Sequence, residues 1–166
     1  MSSFPVWKRN RDPSIFEVRA WPGLSRRPTS RWRSSSHSSM PSYDSNAFDP
    51  PAPVARVLVR NPVTGEAKSG VPMLLDTGAD VTLLPMSVAR ELGVIGSPEK
   101  TYALISFEGT SSSAVAAHAE MVFLDRRFRG QFLLIDQDLG IIGRNILNSV
   151  SLLFDGAHLS WDREAG

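Results

Sequence analysis

Asp76 interrupts an apolar run. In "VPMLLDTGADVTLLP" (Val71–Pro85) it stands with Thr77, Gly78, Ala79 and Asp80 between Leu74-Leu75 and Val81. A carboxylate among such neighbours is costly to bury unless its charge or its proton is held. Gly78 permits a tight turn and close backbone approach, and Thr77 sets a hydroxyl beside the carboxylate. A carboxylate tethered in this way can act as a general acid or base. One carboxylate is half of a water-activating pair, in which the ionised partner takes a proton and the protonated partner gives one.

Other chemistries find less to work with. The sequence has no cysteine, which excludes disulfides, thiolate catalysis and thiolate metal sites. His37, His118 and His158 are far apart and show no ligand spacing. A metal site built from Asp76, Asp80 and His118 or His158 therefore lacks a defined ligand geometry, and neither metal nor cofactor is expected. The net charge of +1 offers no whole-chain argument for nucleic acid. The charge is uneven, however. Residues 1–50 carry eight basic and four acidic side chains, leaving ten basic and thirteen acidic for the remainder, a net of −3. No apolar segment approaches the ~18–20 residues of a membrane span. The N-terminus lacks the apolar core of a secretory signal, so a soluble, cytoplasmic protein is expected.

The elements that must position Asp76 begin after a change in composition. Residues 1–53 include "LSRRPTSRWRSSSHSSMPS", rich in Ser, Arg and Pro and without periodicity. Such a segment buries too little apolar surface to offset its ordering entropy. A solvated, disordered extension is the expectation. A nucleic-acid arm with Trp32 available for stacking is the less favoured reading. Met40 is an alternative start, and Phe48–Pro53 reads as a stiff linker. The domain is expected over residues 54–166.

Short strands with turns between them follow. Ala55–Val59 reads as a strand, Asn61–Glu66 as a turn, and the runs leading into Asp76 and out of it as two more strands. Pro85–Gly93 reads as a helix, with Pro at its start, Val88, Ala89 and Leu92 at helical spacing, and Gly93 as its stop. Lys100–Leu124 reads as a long hairpin turning at Phe107-Glu108-Gly109-Thr110, with Tyr102, Leu104 and Ser106 on one face. Asp125–Gly130 reads as a turn, Gln131–Asp136 as a buried strand, and Gly140–Val150 as a strand end followed by a short helix. Ser151–Asp162 reads as a closing hairpin that turns at Asp155-Gly156. The fold class is all-β, a small closed barrel with two short helices.

"LLDTGADVTLLP" followed by "GIIGRNIL" resembles the retropepsins, the single-domain aspartic proteases of retroviruses and their cellular and bacterial relatives. The resemblance covers about Val54 to Asp162. The matching residues are Leu74-Leu75-Asp76-Thr77-Gly78-Ala79 and Ile141-Ile142-Gly143, the latter followed by Arg144-Asn145. It implies an acid-protease barrel with a flap-like hairpin, and Asp76 as the catalytic residue supported by Thr77, Gly78 and Ala79. Peptide substrate would be met by Gly78, Asp80, Ser106, Phe107, Glu108, Gly109, Thr110 and Ile142. Asp80 and Arg144 would form a structural pair. The hairpin tip departs from the retroviral pattern: it lacks their multiple glycines, and Glu108 brings an acid to the clamp.

This sequence carries a single D-T-G. The resemblance therefore implies a homodimeric endopeptidase in which each copy supplies one Asp76 at a two-fold axis and Thr77 locks the two loops together. The alternative is a non-catalytic module of the same fold, kept for dimerisation or protein binding. The intact D-T-G-A argues against that alternative, because a scaffold gains nothing from a desolvated pair of acids.

Overall fold

Ala55, Val57 and Val59 are buried while Arg56, Leu58 and Arg60 point outward. This period of two makes one face of β3 (Ala52–Arg60) a core face. The computed structural model describes residues 15–16, 41–105 and 111–164. Its strands are β1 (Ile15–Phe16), β2 (Tyr43–Asp44), β3, β4 (Ala67–Leu75), β5 (Leu83–Pro85), β6 (Gly96–Ile105), β7 (Ser111–Phe123), β8 (Arg126–Ile135), β9 (Gly140–Ile142), β10 (Leu152–Asp155) and β11 (Ser160–Arg163). Two short helices, α1 (Met86–Glu91) and α2 (Arg144–Leu147), follow β5 and β9. Among the described residues, no helix is long and apolar enough to cross a membrane.

The main sheet runs β1-β6-β7-β8-β5-β9-β4-β3-β2, and an additional β7–β3 pairing joins its two halves. The hydrogen-bonded order thus returns on itself through β3, β4, β9, β5, β8 and β7. This all-β circuit encloses the larger core, which includes Met73, Leu75, Leu84, Met121, Leu134 and Ile142. A second cluster, with Leu74, Ala79, Leu83, Leu133 and Ile141, packs on the other side of the central strands. Each central strand thus buries two neighbouring residues, one in each cluster: Leu74-Leu75, Leu83-Leu84, Leu133-Leu134 and Ile141-Ile142. Strands buried on both faces are continuously apolar rather than alternating. The pairings β4–β9 and β5–β8 are parallel, as such interior strands allow.

The structure differs from the sequence reading at several boundaries. The sheet reaches further toward the N-terminus than Val54. Tyr43–Asp44 pairs with Ala52-Pro53, Ser42 bridges Ser160, and Phe48 packs on the second cluster. Apolar Phe48 and Tyr43 find a core to cover, so the stretch expected to be a linker continues the fold. β6 begins at Gly96, earlier than Lys100, with its register shifted between Ser97 and Thr101. The turn expected over Asp125–Gly130 contracts to Leu124-Asp125, both at positive φ (51° and 61°). That backbone twist suits a two-residue hairpin. Arg126–Gly130 are strand residues instead, opposite Phe123–Ala119. Their charges marked the solvent face of a strand, not a loop. The closing hairpin turns through residues 156–159, where His158 N–H donates to Asp155 Oδ1 at 3.1 Å.

Candidate active site

β4 delivers Asp76 directly: Leu74 and Leu75 pair with Ile141 and Ile142 of β9, and Asp76 follows as the strand ends. Asp76 N–H donates to the Ile142 carbonyl at 3.1 Å, the last rung of that ladder. The chain then turns. Gly78 N–H donates to Asp76 Oδ1 at 2.7 Å, and Ala79 N–H to the Asp76 carbonyl at 3.2 Å. A backbone donor on a carboxylate oxygen fixes the orientation of the side chain. Asp76 is half-buried, Thr77 exposed, and Ala79 fully buried in the second apolar cluster. The loop is thus anchored by Ala79 and leaves its acid and its hydroxyl near the surface.

The other side of the loop is tied to α2. A helix leaves its first N–H groups without intrahelical partners. Here the loop supplies them: Arg144 N–H donates to the Ala79 carbonyl at 2.9 Å, and Asn145 N–H to the Asp80 carbonyl at 3.3 Å. The Asp80 carboxylate and the Arg144 guanidinium form an ion pair, each side chain about one-third exposed (32%). Thr82, 1% exposed, completes the lacing. Its hydroxyl accepts from Gly143 N–H at 3.1 Å and donates to Asn145 Oδ1 at 2.8 Å.

Space dictates the glycines of the second motif. A Cβ on Gly143 would lie 2.5 Å from the Val81 carbonyl oxygen, and one on Gly140 2.7 Å from that of Leu83. The backbone after Ile142 therefore passes directly against the segment leaving the Asp76 loop. Any side chain at Gly143 would push the two apart.

The sequence-derived site residues fall into three groups. The structure brings Asp76, Thr77, Gly78, Ala79, Asp80 and Arg144 into one laced unit. Ile142 was expected to meet substrate, and the structure corrects this. Its side chain is fully buried in the larger core, because it occupies the inward position of β9, and it serves the site through its carbonyl. Ser106, Phe107, Glu108, Gly109 and Thr110 lie outside the described residues. His118 and His158 are exposed, on β7 and in the closing turn, and among the described residues no group of three or more His, Cys, Asp or Glu is placed to hold a metal. Thr82 was missed. The available signal was a hydroxyl between Val81 and Leu83 in a run otherwise apolar, since a buried hydroxyl must find partners.

Two solved structures are similar. The EIAV protease complexed with the inhibitor HBY-793 is 21% identical, with a TM-score of 0.42 over 59% of this chain and 86% of that chain. A retropepsin-like aspartic protease from Rickettsia conorii is 13% identical, with a TM-score of 0.42 over 76% of this chain and 91% of that one. No curated protein matches the sequence. The sequence model of the aspartyl protease family matches residues 62–146, a stretch that contains Asp76 and the first three residues of α2. That match spans just over half of the 166 residues, and the chain belongs to the aspartyl protease family.

Proposed function

We propose that the protein is an aspartic endopeptidase that acts as a homodimer, with one Asp76 carboxylate from each copy. The observation that carries this reading is the laced loop. It holds an acid half-buried at the end of a strand, with Oδ1 oriented by Gly78 N–H and the chain fixed on both sides by Ile142 and α2. Two such acids facing each other share one proton, because two anions in contact repel. A water between them attacks the scissile carbonyl. The ionised carboxylate takes the water's proton as the C–O bond forms, and the protonated one gives its proton to the carbonyl oxygen. Collapse of the tetrahedral intermediate breaks the C–N bond: the proton first taken from water passes to the leaving amine, and one hydroxyl of the intermediate returns its proton to the other carboxylate as the carbonyl re-forms. The β6–β7 hairpin serves as the lid over an extended peptide.

Two features support a second copy. This sequence has one D-T-G, and Thr77 beside it is exposed. The β10–β11 hairpin forms its own two-stranded sheet and exposes Leu153 (62%), Phe154 (40%) and Leu159 (41%). Exposed apolar residues on a strand edge mark an association surface. The reading is tested by incubating wild type and Asp76→Asn with a peptide library while light scattering reports mass. Wild type is expected to cleave as a dimer, and Asp76→Asn to dimerise without cleaving. Cleavage by Asp76→Asn would overturn the catalytic assignment, and cleavage by a monomer the dimeric one.

A further inference from the structure

The strand alternation that turns Val59, Met121 and Phe128 toward the larger core turns their neighbours outward on the opposite face of the sheet. There β3, β7 and β8 lie side by side, and two rows of residues cross them. One row is Arg60, Glu120 and Arg129; the next is Leu58, Val122 and Arg127. Glu120 is engaged by Arg60, whose Nη1 lies 3.4 Å from Oε1. Arg127 and Arg129 are exposed, and among the described residues neither side chain has an ion-pair or hydrogen-bond partner. The face therefore carries an excess of positive charge around the half-buried apolar pair Leu58 and Val122, on a domain whose residues after 50 sum to −3. This arrangement has no part in holding Asp76.

We infer that this face is a docking surface for an extended acidic peptide segment bearing Asp or Glu at alternate positions. The spacing matches. Arg127 and Arg129 are two residues apart on one strand, so their Cα atoms repeat at about 6.6–6.8 Å. Carboxylates at alternate positions of an extended peptide share that repeat. Each guanidinium can grip a carboxylate with two parallel N–H donors. Leu58 and Val122 offer an apolar strip to the peptide's remaining side chains. A single-stranded nucleic acid fits less well, because it needs stacking platforms, and none of the six outward residues in these rows is aromatic. Docking here is independent of peptide cleavage and is measured without it.

The experiment is fluorescence anisotropy with a labelled (Glu-Ala)4 peptide and the full chain, alongside labelled (Lys-Ala)4 and a single-stranded oligonucleotide. Wild type is expected to bind the Glu peptide and not the Lys peptide, with binding weakened by salt as for exposed charges. The double variant Arg127→Glu/Arg129→Glu is expected to lose about tenfold or more in affinity for the Glu peptide and to gain binding of the Lys peptide, since two charge pairs are inverted. Both positions are exposed, and circular dichroism verifies that the variant folds. Three results would overturn the inference. Wild type fails to bind the Glu peptide; or the double variant binds it as wild type does, which would assign binding to the basic residues near the N-terminus; or the oligonucleotide binds through Arg127 and Arg129 while the Glu peptide does not.

Discussion

Thr82→Val tests the lacing beneath the Asp76 loop. The two side chains have the same shape, so the change removes a hydroxyl from a site only 1% exposed and little else. It leaves two groups without their partner, the Gly143 N–H at 3.1 Å and Asn145 Oδ1 at 2.8 Å. Asn145 is exposed and its side chain can turn to water, whereas Gly143 is buried and its N–H cannot. A buried donor left unpaired costs about 1–3 kcal/mol, so a loss of about 2 kcal/mol is expected. For a domain of this size that lowers the thermal midpoint by about 8 °C, at about 4 °C per kcal/mol. Thr82→Ser keeps the hydroxyl and loses only a buried methyl, about 1 kcal/mol or less. The assay is thermal unfolding followed by circular dichroism, with hydrogen exchange at the Gly143 amide. Thr82→Val should lose protection there and Thr82→Ser should keep it. Equal protection in wild type and Thr82→Val would refute the hydroxyl's role.

Further outcomes follow from the same geometry. Arg144→Ala leaves Asp80 charged and partly desolvated, and should cost about 1–2 kcal/mol in unfolding free energy, between exposed and buried pairs; adding Asp80→Ala should recover part of that loss in denaturant titration. Gly143→Ala drives a Cβ to 2.5 Å from the Val81 carbonyl and should be among the most damaging single substitutions, measured as soluble yield and a loss of about 3 kcal/mol or more. Peptidase activity should show a bell-shaped pH profile, because the proposed pair needs one proton: two protons leave no base and none leaves no acid. The His158 side chain donates to Asp155 at 2.7 Å and holds its carboxyl below the ordinary value of 3.8. A depressed carboxyl stabilises the fold above the ordinary value and loses that contribution as pH falls through the lower one. His158→Ala should return the Asp155 titration, followed by NMR, toward 3.8.

What the sequence disclosed was the part written in short-range chemistry. Leu74-Leu75 before Asp76 and Ile141-Ile142 before Gly143 are doublets because their strands are buried on both faces, and this is visible without coordinates. Gly93, at φ of 62°, follows α1 as the stop that the sequence marked. Long-range partnerships were less legible. Nothing local to Thr82 states that its partners are Gly143 and Asn145, sixty residues on. Ile142 looked like a lining residue because the motif marks importance without marking direction; its carbonyl acts while its side chain packs inward. Arg126–Gly130 looked like a turn because charged residues and glycine occur both in loops and on solvent-facing strands. Tyr43 and Phe48 followed a Ser- and Arg-rich stretch, and only the core they cover distinguishes them from it.

The central claim is that one active site takes an Asp76 from each of two copies. A mixing experiment addresses it directly: peptidase activity of a fixed amount of wild type is measured after equilibration with a ninefold excess of Asp76→Asn. Random pairing leaves about a tenth of the original wild-type dimers, so activity should fall to about a tenth. Activity unchanged by the excess, with exchange of subunits verified by mass, would contradict a shared site.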